Sequence, residues 1–120
     1  MNDDRLETKS DLELDEIFAQ EIAQDKWRKI DVHGQRSAAN YSSSADTVLP
    51  WLAKHPGWIA CCREDGQYQV TIEFAGKTLP RTKTDPYTTI YLSKAFAEAA
   101  SFPRAAVIAL IRAKRIEKGR

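Results

Sequence analysis

Nothing in this chain of 120 residues approaches the roughly 20 consecutive apolar residues that a membrane span requires. Its first residues lack a basic stretch followed by an apolar one, so no secretory signal is read and the expected compartment is the cytoplasm. Glycine is scarce, five in all, and none gather into a loop able to cradle phosphates, which argues against nucleotide-dependent chemistry. Cysteine amounts to the adjacent pair Cys61 and Cys62. Neighbours on a strand point to opposite faces, so a bond between these two needs a distorted backbone. Structural zinc sites separate paired cysteines by about two to four residues so that both sulfurs converge on one ion. The expectation is therefore two free, partly buried thiols, with no metal and no cofactor. A thiol hydrolase would need His33 or His55 within hydrogen-bond reach of a sulfur and a third group to orient it. No nucleophile-elbow pattern is present, and the chain is expected not to be an enzyme.

Excess charge of either sign is also missing, since the formal net charge is +1. The distribution is uneven, however. Residues 1–26 hold nine acids against three bases, a net of −6, while the chain from Arg104 onward holds six bases against Glu117, a net of +5. Such a head and tail can attract one another within a fold, or each can serve a partner. The candidate partner-binding residues are accordingly Asp11, Glu13, Asp15 and Glu16 at the head and Arg112, Lys114, Arg115 and Lys118 at the tail.

What is present fits one domain, with 42% hydrophobic and 29% charged residues. Residues 1–9 are polar and expected to fray, leaving 10–120 as a single α/β domain. Ser10-Asp11-Leu12-Glu13 reads as a capping box, and Leu14, Ile17, Phe18 and Ile22 recur behind it at helical spacing, predicting a helix over Asp11–Asp25. Trp27 and Ile30 are expected to turn its exit against the core. His33–Ser44 is a polar connector, and one of its three consecutive serines is positioned to cap a second helix over Ala45–Lys54 with Val48, Leu49 and Leu52 inward. Pro50 conflicts with a regular helix there, and His55-Pro56-Gly57 ends it.

Trp58–Glu64 reads as a strand, Asp65-Gly66 as a hairpin turn, and Gln67–Phe74 as a second strand. Tyr68, Val70, Ile72 and Phe74 fall on one face of that strand, and Gln67, Gln69, Thr71 and Glu73 on the other. The polar face predicts a sheet that is partly open to solvent. Ala75–Pro86 is rich in turn residues and Thr88–Leu92 favours strand, while Lys94–Ala100 is readable as either helix or strand. Ser101-Phe102-Pro103 opens a last helix with Val107, Leu110 and Ile111 as its apolar stripe and Gly119 as its stop. The predicted fold class is α+β, a short antiparallel sheet of about three strands packed with about three helices.

The run from Glu13 through Ile22, then Asn40-Tyr41-Ser42 before a helix, a Trp58-led hairpin, and the closing Ala100 to Leu110 together resemble small phage and prophage proteins of the phage ABA sandwich family. The resemblance spans nearly the whole chain. It implies a sheet between helices, no assigned catalytic residues, and an accessory protein of a phage or integrated element, at work in the host cytoplasm. The functional expectation is a non-enzymatic protein that binds another macromolecule, a host or phage protein, with inhibition of a host defence complex such as a CRISPR effector as its sharpest form. Carboxylates on the first helix would then imitate phosphate spacing. The alternative is a small nucleic-acid-binding module using the basic C-terminal helix, with Arg81 and Lys83 in support and binding that weakens steeply with salt. Exposed edge strands of a small sheet also allow a homodimer.

Overall fold

The computed structural model describes residues 5–24, 29–30, 36–37, 39–55, 57–79 and 89–118. A 3-10 turn at Leu6–Thr8 precedes helix α1 (Asp11–Phe18), which passes into a wider π turn at Ala19–Ala23. A two-residue ladder follows, β1 (Lys29–Ile30) with β2 (Arg36–Ser37), then helix α2 (Ala45–Leu52). Strands β3 (Gly57–Cys62), β4 (Tyr68–Leu79) and β5 (Thr89–Ala99) form an antiparallel sheet in the order β3-β4-β5, and helix α3 (Phe102–Lys118) closes the chain. Three helices with one three-stranded antiparallel sheet make this the α+β domain expected.

Local chemistry accounts for most element starts. Ser10 Oγ accepts from the Glu13 N–H (3.2 Å) while Glu13 Oε1 accepts from the Ser10 N–H (3.1 Å), completing the capping box. Helical structure stops at Ala23, short of the expected Asp25, because Gln24 turns left-handed (φ 52°) and returns its N–H to the Ala19 carbonyl. Leu6 is fully buried within the N-terminal segment; residues 1–4, Asp25, Trp27, His33, Arg81, Lys83 and Gly119 lie outside the described residues. Ser44 caps α2 by accepting from the Thr47 N–H. Pro50 sits inside α2, which at eight residues is short enough that the proline forfeits little of its ladder. Val48 and Leu52 are buried as expected, but Leu49 is 37% exposed and points out.

The β3–β4 turn contains three residues rather than two. Gly66 adopts φ 85° and donates to the Arg63 carbonyl (3.0 Å), and the Arg63 N–H donates to Gln67 (2.7 Å), the pattern of a type I turn followed by a left-handed glycine. On β4 the predicted face holds: Val70 and Ile72 are fully buried, with Tyr68 and Phe74 packed at the margin of the core. The strand then continues through Leu79 with a bulge between Ala75 and Thr78, so the first part of the expected Ala75–Pro86 loop is sheet. Likewise β5 is continuous from Thr89 to Ala99. Helix-favouring alanines extend because Ala95, Ala97 and Ala99 are all buried on the inner face, opposite Ile72, Val70 and Tyr68.

The layers stack as sheet, then α3, then α1 and α2. Helix α3 packs on β4 and β5 with one side and on α1 and α2 with the other. Ala105 to Ile111 and Ala113 are consequently all buried, where an apolar stripe of Val107, Leu110 and Ile111 was expected. Among the described residues helices cover one face of the sheet, whereas the family resemblance implies helices on both. Small side chains are buried on both α3 and the β5 face packed against it. Ala97→Leu, which adds bulk opposite Val70 beneath α3, should cost about 1–3 kcal/mol in urea unfolding. An unchanged midpoint would show that helix and sheet are not in close contact there.

Candidate functional site

The acidic candidates part company once the chain is folded. Asp11 accepts from Arg104 Nη1 at 2.7 Å, and Glu13 is held in the capping box. Hydrogen bonds from Ser10 pull the Glu13 carboxyl below its ordinary range. Asp15 does not lie on the open surface, being only 6% exposed. It is buried, with Oδ1 accepting from the Ser42 N–H (2.7 Å) and from Ser42 Oγ (2.8 Å). The buried carboxylate ties α1 to the Tyr41–Ser43 turn, a structural role that removes it from the partner-binding set. Burial, the largest cause, pushes its carboxyl up despite the opposing Ser42 bonds, and nearby Asp11 and Glu16 push the same way.

The basic candidates are partly spent as well. Arg112 grips Glu7 with both amino groups (2.6 and 2.5 Å) and also donates to the Phe96 carbonyl (3.0 Å). Arg115 pairs bidentately with Glu21 (2.9 and 2.8 Å). Arg104, beyond Asp11, donates to the carbonyls of Glu7 and Lys9. The acidic head and basic tail thus meet each other inside the domain. Lys118 remains exposed, and Lys114 lines a cleft of about 250 Å³ with Ile22, Trp51, Lys54, His55, Leu110 and Glu117. Lys54 Nζ lies 4.2 Å from the centre of the Trp51 ring, so the cleft offers two ammonium groups beside an aromatic wall.

Two apolar surfaces stand out. On α1, Leu12 is 76% exposed and lines a shallow depression with Glu13, Glu16, Ile17 and Gln20. This is an apolar spot rimmed by acids, on the helix whose charge singled it out in the sequence. The second is the open face of the sheet, where strand register aligns Ile59, Thr71 and Phe96 in one row, with Ile59 66% and Phe96 50% exposed. Rows on either side are polar: Gly57, Glu73 and Lys94, with Glu73 and Lys94 3.4 Å apart, and Cys61, Gln69 and Glu98. Sequence reasoning missed this row. Reading Lys94–Ala100 as strand would have exposed it, because alternation then sets Phe96 apart from Ala95 and Ala97.

Both thiols are free and exposed, not half-buried as expected, since β3 forms an edge of the sheet. Cys62 Sγ donates weakly to the Arg63 carbonyl at 3.7 Å. Among the described residues no group of three or more His, Cys, Asp and Glu side chains is placed to hold a metal ion. No described helix is long and apolar enough to cross a membrane.

Asp15 gives the domain a pH dependence of definite sign. Its folded pKa lies above the ordinary 3.8, so between the two values the folded state keeps a proton that the unfolded chain has lost. Stability from this group is greatest below 3.8 and falls as pH rises through the folded value. Wild type should therefore lose urea resistance relative to Asp15→Asn as pH climbs through that window. Parallel curves for the two proteins would mean that burial does not perturb the carboxyl.

No protein-family model, curated protein or solved structure matches the chain, so the reading of these surfaces rests on their own residues.

Proposed function

We propose that this protein acts by binding another macromolecule, without catalysis of its own, through the outer face of α1. The observation that carries the reading is Leu12: a large apolar side chain held largely in solvent on a capped helix, with Glu13, Glu16, Ile17 and Gln20 around it. An exposed apolar anchor with a charged rim is how a protein interface is commonly built, with the anchor supplying affinity and the rim supplying orientation and encounter rate. The acidic rim selects a partner with a basic surface, as a protein with a nucleic-acid-binding groove presents.

In its narrowest form the proposal is a phage or prophage accessory protein that inhibits a host defence complex such as a CRISPR effector. Support for that form comes from the resemblance of sequence words to the phage ABA sandwich family and from the acidic helix. Binding of nucleic acid by the C-terminal helix is the weaker reading, because Arg112 and Arg115 are engaged by Glu7 and Glu21.

Capture from host lysate with immobilised wild type and Leu12→Lys is the direct test. A specific protein should be retained by wild type and its affinity should fall at least about tenfold with Leu12→Lys, since truncated anchors commonly cost more than 1 kcal/mol. Equal retention by both proteins would overturn the assignment of the α1 face. Adding the protein to a purified CRISPR effector of the host should suppress target cleavage if the narrow form holds. A gel shift with DNA or RNA at low salt, in the absence of any protein partner, would favour the basic-tail reading instead.

A further inference from the structure

One half-buried cation on α3 stands outside the ion-pair pattern of that helix. Arg104, Arg112 and Arg115 each hold a carboxylate, whereas half-buried Lys114 makes no ion pair among the described residues. Its side chain lines the cleft of about 250 Å³ whose other walls come from α2 and the π turn. Lys54, just past the end of α2, brings a second ammonium group to the same cleft. It too makes no ion pair among the described residues, and its Nζ rests 4.2 Å from the centre of the Trp51 ring. Glu117, exposed near the end of α3, is the carboxylate of the described lining and pairs with neither lysine. The balance of charge is therefore positive. Half-buried His55 adds an imidazole that makes no hydrogen bond among the described residues.

The rest of the lining is apolar and held in place. Ile22 comes from the π turn, and Leu110, 2% exposed, from α3. The Trp51 ring is set edge-on against buried Phe18, with ring centres 5.7 Å apart and planes at 85°. Single π turns within helices occur frequently at functional sites, and this one supplies Ile22 to the cleft wall. Cations in a partly apolar hollow attract an anion more strongly than they would on an open surface, because less water screens them. Walls already fixed by packing lower the ordering cost of binding.

We propose that this cleft binds a small organic anion, a carboxylate or phosphate carried on a compact apolar body. The acid rests on the Lys54 and Lys114 ammonium groups, with His55 able to hydrogen-bond it, and the body packs against Ile22, Trp51 and Leu110. The cleft is smaller than the roughly 300–1,000 Å³ of pockets for drug-sized molecules, which sets the ligand below that size. An inorganic anion would leave the apolar wall unused, and a neutral aromatic would leave both ammonium groups without a partner. No lining residue is shared with the Leu12 depression, so this site stands independently of the α1 surface.

The test follows amide signals of the whole chain by NMR as phenyl phosphate, phenylacetate, phenylacetamide or inorganic phosphate is added. Phenyl phosphate or phenylacetate should move the signals of Ile22, Lys54, Leu110 and Lys114 together. Saturation should come at low millimolar concentration, as expected of about ten non-hydrogen atoms at ordinary ligand efficiency. The tighter of the two identifies the acid. Neutral phenylacetamide and ring-free phosphate should each bind at least about tenfold more weakly. Lys114→Gln should weaken binding of the anion about tenfold, since a charge-assisted hydrogen bond is lost. Glu117→Gln should tighten it, because a like charge leaves the rim. Damage to the fold cannot produce that gain, so Glu117→Gln decides if Lys114→Gln fails to fold. No saturable shift with either anion at about 20 mM, or equal binding of the amide, would overturn the proposal. So would unchanged affinity in folded Lys114→Gln, or no gain in Glu117→Gln.

Discussion

The domain depends on α3 being buried on both sides. A helix between a sheet and other helices has no solvent-facing stripe over its middle turns, and from Ala105 to Ile111 every residue is buried. Small side chains favour close approach on the sheet side: Ala95, Ala97 and Ala99 are buried on β5, and the helix packed on it has Ala105, Ala106, Ala109 and Ala113 among its buried residues. Dense packing of small side chains gains dispersion energy without the rotamer entropy that long side chains would lose. The same contact extends the alanine-rich segment of β5 against its helical preference.

Charge is distributed around this core in a way that limits what it can do outside. Arg112, Arg104 and Arg115 sit on one helix and reach Glu7 in the N-terminal turn, Asp11 at the start of α1 and Glu21 in the π turn that follows. These partly screened, largely bidentate pairs hold the chain's beginning to its end, and each places planar guanidinium geometry where a lysine would serve less well. Arg112 contributes twice, because the Glu7 clamp positions it over the Phe96 carbonyl and so closes one sheet edge. An ion-pair network and an edge-blocking device are here the same side chain.

What remains available to partners is correspondingly specific. The α1 face offers Leu12 among acids, the open sheet face offers Ile59 and Phe96 between polar rows, and the outer edge of β3 pairs with no further strand among the described residues. These surfaces belong to different elements, so one can be occupied while another stays free.

Sequence alone determined the elements whose cause is local. The Ser10–Glu13 capping box started α1, the serine run capped α2, Gly66 turned the hairpin, and alternation from Tyr68 to Phe74 marked the buried face of β4. Each of these follows from a few neighbouring residues satisfying backbone groups or repeating at a fixed period. Tertiary structure decided the rest. Whether Lys94–Ala100 extended, whether Asp15 was surface or core, whether Arg112 faced a partner or Glu7, and whether Cys61 and Cys62 lay inside or on an edge were all settled by which segments came together across long stretches of chain. Burial and pairing of that kind carry no local periodicity, because the partner that supplies the energy lies tens of residues away.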